Sequence, residues 1–241
     1  PFGTGHMGVT AENVAHEHEI SRADQDAFAL ESQTRAARAI EEGRFADQIV
    51  PVELKIKRDT VAFDTDEHPK PTTAEGLAGL KPAFAGEGSV TAGNASGIND
   101  GAAAMVLARA EAAEAAGLTP RARVVGYAHA GVRPDVMGLG PIPAVDNLLR
   151  KTGLSAADFD VIESNEAFAA QAIAVNRGLG LDPAKVNPNG GAIALGHPVG
   201  ATGAILTIKA LYELERIGGT RALVTMCIGG GQGIALAIER V

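Results

Sequence analysis

The sequence predicts a layered α/β fold, and three observations support this prediction. Apolar strand-like segments alternate with helical segments from about Val90 onwards, as expected of a sheet covered by helices. Several of these strands end in glycine-rich or polar turns, which are places where ligands bind in open α/β sheets. Of the 241 residues 46% are hydrophobic and mean hydropathy is +0.07, so the chain can bury a sizeable core.

The first predicted element is an amphipathic helix that begins after Ser21. Ser21 and Asp24 have the spacing of a capping box, and Gly43 fits the end of the helix. The spacing of apolar residues predicts one apolar face, made of Ala27, Leu30, Ala37 and Ile40.

A strand is predicted next, because apolar residues alternate with Pro51 and two charged residues over residues 50–56. This alternation is typical of a half-buried strand, and Pro51 places it at a sheet edge. Residues 64–89 lack periodicity and hold three prolines and four glycines, which predicts irregular structure with one helical turn.

The remaining elements form the predicted layered domain. Strands are expected at residues 103–107, 123–130, 161–164, 222–226 and 233–240. Helices are expected at residues 109–116, 143–152, 166–178 and 200–216. Because a short glycine turn joins the last two strands, we expect them to be antiparallel.

Composition narrows the possible functions. The 29 acidic residues outnumber the 21 basic ones, and the net charge of -8 argues against nucleic acid and anionic membranes as partners. No apolar run approaches the roughly 18 residues that span a bilayer, and residues 1–7 lack the features of a signal peptide. We therefore expect a cytoplasmic protein. Since the chain begins at Pro1 and not at a methionine, we also expect a processed or partial polypeptide.

Metal and hydrolase sites are not predicted. The single cysteine, Cys227, excludes internal disulfides and cysteine-rich metal sites. His16 and His18 lack both the spacing of a metalloprotease site and a third partner, so we expect them on a solvated helix edge. The sequence contains neither a P-loop nor the Gly-x-Ser-x-Gly elbow of many hydrolases.

Two segments carry polar side chains at the ends of predicted strands. Asn165 lies where a strand passes into a helix, and its amide either caps that helix or holds a water or substrate oxygen. His197 lies in a glycine-rich turn, residues 187–203, before a predicted helix, a position that favours the neutral ring. Its role is either a structural hydrogen bond or a catalytic one.

Two further segments combine small residues with a possible ligand contact. Cys227 ends an apolar strand and is either a small buried hydrophobe or a reactive thiol. The glycines at 229–231 leave space over the thiol and free backbone N–H groups to face an oxyanion. Residues 92–100 form a small-residue loop, which is a plain turn or a surface for a ligand.

Together these segments resemble the thiolase family. The blocks 165–168 (Asn-Glu-Ala-Phe), 196–198 (Gly-His-Pro) and 227–231 (Cys-Ile-Gly-Gly-Gly) occur in the family's order and at similar separations. The similarity extends from residues 6–8 to the C-terminus, and residues 224–233 resemble bacterial β-ketothiolases and acetyl-CoA acetyltransferases.

The resemblance implies a thiolase-like layered α/β fold. Family members have two similar α/β halves with a loop domain inserted in the first. Residues 1–92 would then be the latter part of the loop domain, a lid that contacts CoA, and residues 93–241 the C-terminal thiolase half. The N-terminal half with the nucleophilic cysteine would have no counterpart in this sequence.

The activity implied by the resemblance is acyl transfer of the acetyl-CoA acetyltransferase or 3-ketoacyl-CoA thiolase type, in fatty acid metabolism. His197 would activate the nucleophilic cysteine, and Cys227 would be the acid/base, with a thiol pKa near the working pH. Asn165 would hold a water at the enolate oxygen, and the Gly229 N–H would line the second oxyanion hole. Four residues would line the acyl-CoA site, namely Ser96, His6, Met7 and Phe168.

The resemblance also implies the partners. CoA and acyl-CoA would be substrates, with no tightly bound cofactor and no metal. An N-terminal thiolase half, on the same or a separate polypeptide, would complete the site, and a homodimer or homotetramer would form. We predict that the chain alone is inactive. Residues 67–71 depart from the basic residue that the family often has near the CoA adenine or phosphates.

Two other functions are alternatives to a thiolase. A condensing enzyme of the ketoacyl synthase kind shares the fold but normally pairs its cysteine with two histidines, whereas Asn165-Glu166 with Cys227 favours a thiolase. A non-catalytic CoA- or lipid-binding protein gains nothing from a thiol placed against glycines beside the His197 loop, which favours an enzyme.

Overall fold

Two helices open the computed structural model, which describes residues 5–241. Helix α1 spans Met7–Glu17 and helix α2 spans Arg22–Glu41. The predicted capping box of α2 is confirmed, because Ser21 Oγ accepts from the Asp24 N–H at 3.1 Å and Asp24 accepts from the Ser21 N–H at 3.2 Å. Gly43 follows the helix with φ 68°, a left-handed conformation that ends helices at low cost for glycine.

The apolar face predicted for α2 is wrong. Ala27, Ala37 and Ile40 are exposed, and Leu30 is only partly buried. The buried row consists of small or polar residues, Gln25, Ala29, Ser32, Gln33, Ala36 and Ala39. This row lies close to its neighbours and forms hydrogen bonds with them, so apolar periodicity did not identify it.

A hairpin follows α2. Strand β1 (Val52–Ile56) pairs antiparallel with strand β2 (Asp59–Phe63), so β1 is at a sheet edge as predicted. The expectation of a half-buried strand is wrong, because every residue of both strands is exposed. Helix α3 (Ala74–Ala78) is the short helical turn expected within residues 64–89.

The C-terminal elements form a layered body. In chain order they are α4 (Ala110–Ala115), β3 (Ala122–Gly131), α5 (Pro141–Thr152), β4 (Val161–Ser164), α6 (Ala169–Leu179), α7 (Ala192–Leu195), α8 (Thr202–Ile217), β5 (Arg221–Ile228) and β6 (Gln232–Arg240). Short 3-10 helices lie at Ala46–Gln48, Pro134–Leu139 and Ala156–Asp158.

These strands form a mixed sheet in the order β3-β6-β5-β4. Strands β4 and β5 are parallel, whereas β6 is antiparallel to both β5 and β3, as predicted for the last two strands. On β5, Leu223 packs with α5, while Ala222 and Val224 pack with α8. Because neighbouring residues of a strand face opposite sides, the two helices cover opposite faces of the sheet. The predicted layered α/β fold is confirmed.

The strand predicted at residues 103–107 is wrong. The segment has no regular secondary structure, and Val106 and Leu107 are 87% and 76% exposed. A strand needs a neighbour for its backbone hydrogen bonds, and the described part of the chain supplies none here. Residues 103–107 thus have the composition of a strand but no neighbouring strand within residues 5–241.

The chain ends and the histidines near α1 complete the description. His16 and His18 are exposed at the end of α1, which confirms the predicted solvated helix edge. Between residues 5 and 241 no helix has both the length and the apolar character needed to cross a membrane. Residues 1–4 belong to the segment predicted to lack the features of a signal peptide, and they lie outside the described residues.

Candidate active site

Asn165 and His197 meet at the end of β4. The backbone N–H of Asn165 donates to Thr225 O at 3.0 Å, which continues the pairing of β4 with β5 for one residue. Its side-chain Nδ2 lies 3.3 Å from His197 Nε2. The helix-capping interpretation is wrong, because the N-cap of α6 is Phe168. Asn165 Oδ1 is buried and has no protein partner.

Thr202 fixes the tautomer of the His197 ring. The Thr202 hydroxyl donates to Pro198 O at 2.9 Å, so it can only accept from His197 Nδ1, 2.7 Å away. The ring therefore carries its proton on Nδ1. Nε2 is therefore unprotonated, and its lone pair accepts from the Asn165 side-chain amide.

His197 is neutral for a different reason from the one predicted. Burial lowers the pKa of the ring, and α8 begins only at Thr202, five residues later. The loop backbone is held from outside, since the His197 N–H donates to Asn99 Oδ1 at 3.0 Å. A Cβ on Gly196, where φ is +96°, would lie 2.7 Å from that oxygen, so the approach needs glycine.

Cys227 lies near the end of β5 and is buried. It packs in one cluster with Met137, Ala167 and Phe168. Burial raises the pKa of the thiol to about 11, so Cys227 is protonated at neutral pH. The expectation that the thiol pKa lies near the working pH is therefore wrong, because burial raises it.

The glycine turn after Cys227 is open on one side and crowded on the other. Gly229 is exposed, and a Cβ placed on it would meet only Met7 Sδ, at 3.7 Å. Gly231, with φ +90°, approaches Val132 so closely that a Cβ would lie 2.3 Å from the Val132 carbonyl oxygen. The turn can therefore present the Gly229 backbone to a ligand while it stays anchored at Gly231.

The four predicted substrate-lining residues surround the same place. His6 stacks on Phe84 with ring centroids 4.8 Å apart, and Phe84 meets Phe168 edge-on at 5.9 Å. Met7 lies beside Gly229. The Ser96 N–H donates to Ala167 O at 3.0 Å, which holds this loop against the segment before α6. Contacts thus link His6 to Phe168 through Phe84, Met7 to Gly229, and Ser96 to the segment before α6, while the roles of all eight predicted site residues stay predictions.

Sequence reasoning missed several residues that hold the site. Thr202 is the first residue of α8, a position where hydroxyls often bond to nearby polar groups, so the signal was present. Asn99 was seen only as part of a small-residue loop. His68 had no signal at all, although its Nε2 lies 3.1 Å from Ile193 O and its Nδ1 lies 3.3 Å from Asn99 Nδ2.

Comparison with protein-family models gives two matches. The model described as thiolase, C-terminal domain, matches residues 118–240, and the model described as thiolase, N-terminal domain, matches residues 2–111. The predicted domain boundary at residue 92 stays a prediction.

Individual proteins agree with these matches. The beta-ketothiolase BktB of Cupriavidus necator is 60% identical over 243 aligned positions, which cover this whole chain but 62% of that protein. The crystal structure of the Bacillus anthracis acetyl-CoA acetyltransferase is 53% identical, with a TM-score of 0.95, over 98% of this chain and 60% of that one. Human mitochondrial 3-ketoacyl-CoA thiolase in complex with CoA is 47% identical, with a TM-score of 0.90, over 98% and 59%. The thiolase-like fold is confirmed, and the chain spans about 60% of the length of these relatives.

Proposed function

The chain belongs to the thiolase family, and from this premise we propose that it forms the acid/base half of an acyltransferase site. The substrates are CoA and acyl-CoA, and the reaction is thiolysis of a 3-ketoacyl-CoA or the reverse Claisen condensation. The observation that carries the proposal is the hydrogen-bonded pair of His197 and Asn165 beside β5, the strand that carries Cys227 near its end.

Proton transfer is assigned to Cys227. In thiolysis a cysteine thiolate attacks the 3-keto carbon, the bond between the α and β carbons breaks, and its electrons form the enolate of acetyl-CoA. The Cys227 S–H then donates its proton to the α carbon, and in condensation the Cys227 thiolate removes that proton. A raised thiol pKa supports this role, because it keeps the proton on sulfur at neutral pH until a strongly basic carbon appears.

Stabilisation of the enolate oxygen is assigned to Asn165 and His197. The free, buried Asn165 Oδ1 can accept from a water that in turn donates to the enolate oxygen. The neutral His197 can accept the proton of the nucleophilic thiol on Nε2, in place of the Asn165 N–H, and so favour the thiolate. The Nε2–H that forms can then donate to the enolate oxygen. The exposed Gly229 N–H fits one donor of the second oxyanion hole. His6, Met7, Ser96 and Phe168 are proposed to line the acyl-CoA path.

The nucleophile must come from outside these residues. Cys227 is the single cysteine of the sequence, so we assign the acyl-accepting cysteine to an N-terminal thiolase half on the same or a separate polypeptide. Exposed apolar side chains give that half a surface, since Ile98, Val106 and Leu107 are 98%, 87% and 76% exposed. Assembly as a cytoplasmic homodimer or homotetramer in fatty acid metabolism belongs to the same proposal.

The test measures CoA-dependent thiolysis of acetoacetyl-CoA by this chain assembled with a thiolase N-terminal half. Wild type is compared with Cys227→Ala after near-UV circular dichroism has shown equal folding. We expect the substitution to lower kcat by about 100-fold or more, as for loss of a general acid/base, and the chain alone to give no turnover. Equal rates in both forms would refute the role of Cys227. CoA binding without turnover in either would make this a binding protein.

A further inference from the structure

Glu166 is a buried carboxylate that the proposed chemistry does not use. It follows Asn165 directly and is 2% exposed. Three groups donate to it, namely the Ser32 hydroxyl at 2.6 Å, Asn187 Nδ2 at 2.9 Å and the Ile193 N–H at 3.3 Å. Every partner is a donor, which is the pattern that a carboxylate accepts. Ser32 lies on α2, and the other two donors lie in residues 187–203, the segment that carries His197.

The first connection leads from Glu166 to the segment before Asn165. Besides Glu166, the Asn187 side chain binds both backbone groups of Ser164. Its Nδ2 donates to Ser164 O at 2.8 Å and its Oδ1 accepts from the Ser164 N–H at 2.9 Å. The backbone of residues 185–187 pairs with Ile162 at this edge of β4, and the Asn187 side chain, at φ 45°, continues that pairing to Ser164. The position of Asn165, one residue later, depends on this pairing.

The second connection leads to the loop that carries His197. Glu166 Oε2 accepts from Ile193, four residues before the histidine. The Ser32 hydroxyl, which donates to the same oxygen, accepts from the Gly191 N–H at 3.1 Å. A Cβ on Gly191 would lie 2.1 Å from the Glu166 carboxyl carbon, so the loop lies directly on the carboxylate.

The third connection leads to helix α2. Ser32 lies on α2, and one turn further along the same helix Arg35 Nη1 donates to Val186 O at 2.6 Å. Helix α2 therefore binds the segment of Asn187 in two ways. Arg35 donates to the Val186 carbonyl, and Ser32 and Asn187 both donate to the Glu166 carboxylate. The polar residues on the buried face of α2 form hydrogen bonds to neighbouring segments, which apolar residues could not form.

We propose that Glu166 is a positioning residue that fixes Asn165 and His197 relative to each other and joins both to α2. The expected effect of Glu166 on rate rests on the proposed function. Its role in fixing the positions of Asn165 and His197 does not. Asn165 Nδ2 and His197 Nε2 are only 3.3 Å apart. Asn165 extends the pairing of β4 with β5 by one residue, whereas His197 lies on a loop with one isolated bridge, to Ile98. The Glu166 carboxylate, next to Asn165, ties α2 to the segment of Asn187 and Ile193 with three hydrogen bonds.

The case for an anchor rests on the three donors around Glu166, since on balance its pKa is raised. Burial raises the pKa of Glu166, while hydrogen bonds from Ser32 and Asn187 and the charge of Lys209 act against this rise. The Glu166 carboxylate lies against Gly191, and Glu166 is 2% exposed. It acts through the residues that it holds.

The experiment compares three variants. Ser32→Ala removes one donor from α2, and Glu166→Gln keeps the size but adds an N–H group among groups that already donate. Thr34→Ala is the control, since Thr34 lies on the same helix and its hydroxyl bonds only to Leu30 O at an exposed position. Unfolding midpoints are measured for all three, together with kcat and KM for thiolysis in the assembled enzyme.

A second measurement does not depend on activity. In histidine-labelled protein, 15N spectra report the protonation of each ring nitrogen and the hydrogen bond that His197 Nε2 accepts. We expect Ser32→Ala and Glu166→Gln to shift the Nε2 signal and to lower kcat by about 10- to 100-fold, as for small misplacement of catalytic groups. KM should stay within about twofold of wild type, and Thr34→Ala should match wild type in every measurement.

Each outcome decides between the two proposals. An unshifted His197 signal in both variants, or kcat values that fall only in proportion to the unfolded fraction, overturns the positioning role. If wild type shows no thiolysis but the Nε2 signal shifts in both variants, the proposed function fails and the positioning role stands.

Discussion

Replacing Thr202 by valine tests the tautomer of His197. Valine has nearly the shape of threonine but lacks the hydroxyl that accepts from His197 Nδ1–H at 2.7 Å. Leaving a buried donor without an acceptor costs about 1–3 kcal/mol. Because His197 is only partly buried, water can replace some of this bond, and we expect the lower part of the range. A loss of about 1.4 kcal/mol weakens the preference for the Nδ1–H tautomer about tenfold.

Two measurements follow this change. In 15N spectra of the histidine ring, wild type should show protonated Nδ1 and unprotonated Nε2, and Thr202→Val should show a mixture. In the assembled enzyme kcat should fall by the fraction of rings that take the Nε2–H form, about twofold for an equal mixture, because an Nε2–H ring cannot accept a proton from the nucleophilic thiol.

Thr207→Val is the matched control. Thr207 lies on the same helix and makes the same kind of bond, from its hydroxyl to Gly203 O at 2.8 Å, but it faces solvent. Spectra and kcat of this variant should match wild type. If Thr202→Val keeps the wild-type tautomer, or if both variants lose activity equally, the reasoning from the Thr202 hydroxyl is refuted.

Three further predictions concern buried groups. The pKa of Cys227 is raised from 9.0 to about 11, so the folded state binds more protons than the unfolded state between these values. Stability therefore falls as pH rises from about 9 to 11, by up to about 2.7 kcal/mol, and urea unfolding of Cys227→Ala should lack this slope. Lys209→Met should lower the free energy of unfolding by about 3–5 kcal/mol, because it leaves Glu163, bonded to Lys209 at 2.8 Å, as an uncompensated buried charge. Adding Glu163→Gln should restore part of the loss, and no recovery would contradict this account. Gly191→Ala should lower the unfolding midpoint since its Cβ overlaps a buried carboxylate, whereas Gly200→Ala, with open space, should not.

The sequence predicted those features that depend on local signals. The capping box at Ser21, the glycine turn that joins β5 to β6 and the bounds of β4 all follow from residues next to each other in the chain. The site residues were predictable because the blocks around Asn165, His197 and Cys227 resemble a known family. Their meeting in space was not readable from periodicity.

The errors arose where structure depends on distant partners. Residues 103–107 have the composition of a strand but no neighbouring strand in the described part of the chain. Ser32 and Gln33 are buried on α2 because Glu166 and the Ile193 carbonyl bind them, which no local pattern indicates. The same holds for the thiol pKa of Cys227, which is set by burial and not by the glycines beside it.

Sheet register and loop anchors control different parts of the site. Ser164 pairs with Thr225, so the pairing of β4 with β5 fixes Asn165 relative to Cys227, two residues beyond Thr225. A slip of one residue would turn Cys227 to the opposite face of the sheet, so this relation can change only if the fold changes. His197 has only one isolated bridge, to Ile98, and its loop is held mainly by Asn99, Thr202 and the Glu166 anchor. Substitutions in the sheet should therefore lower stability and activity together, whereas substitutions at the loop anchors should lower activity first.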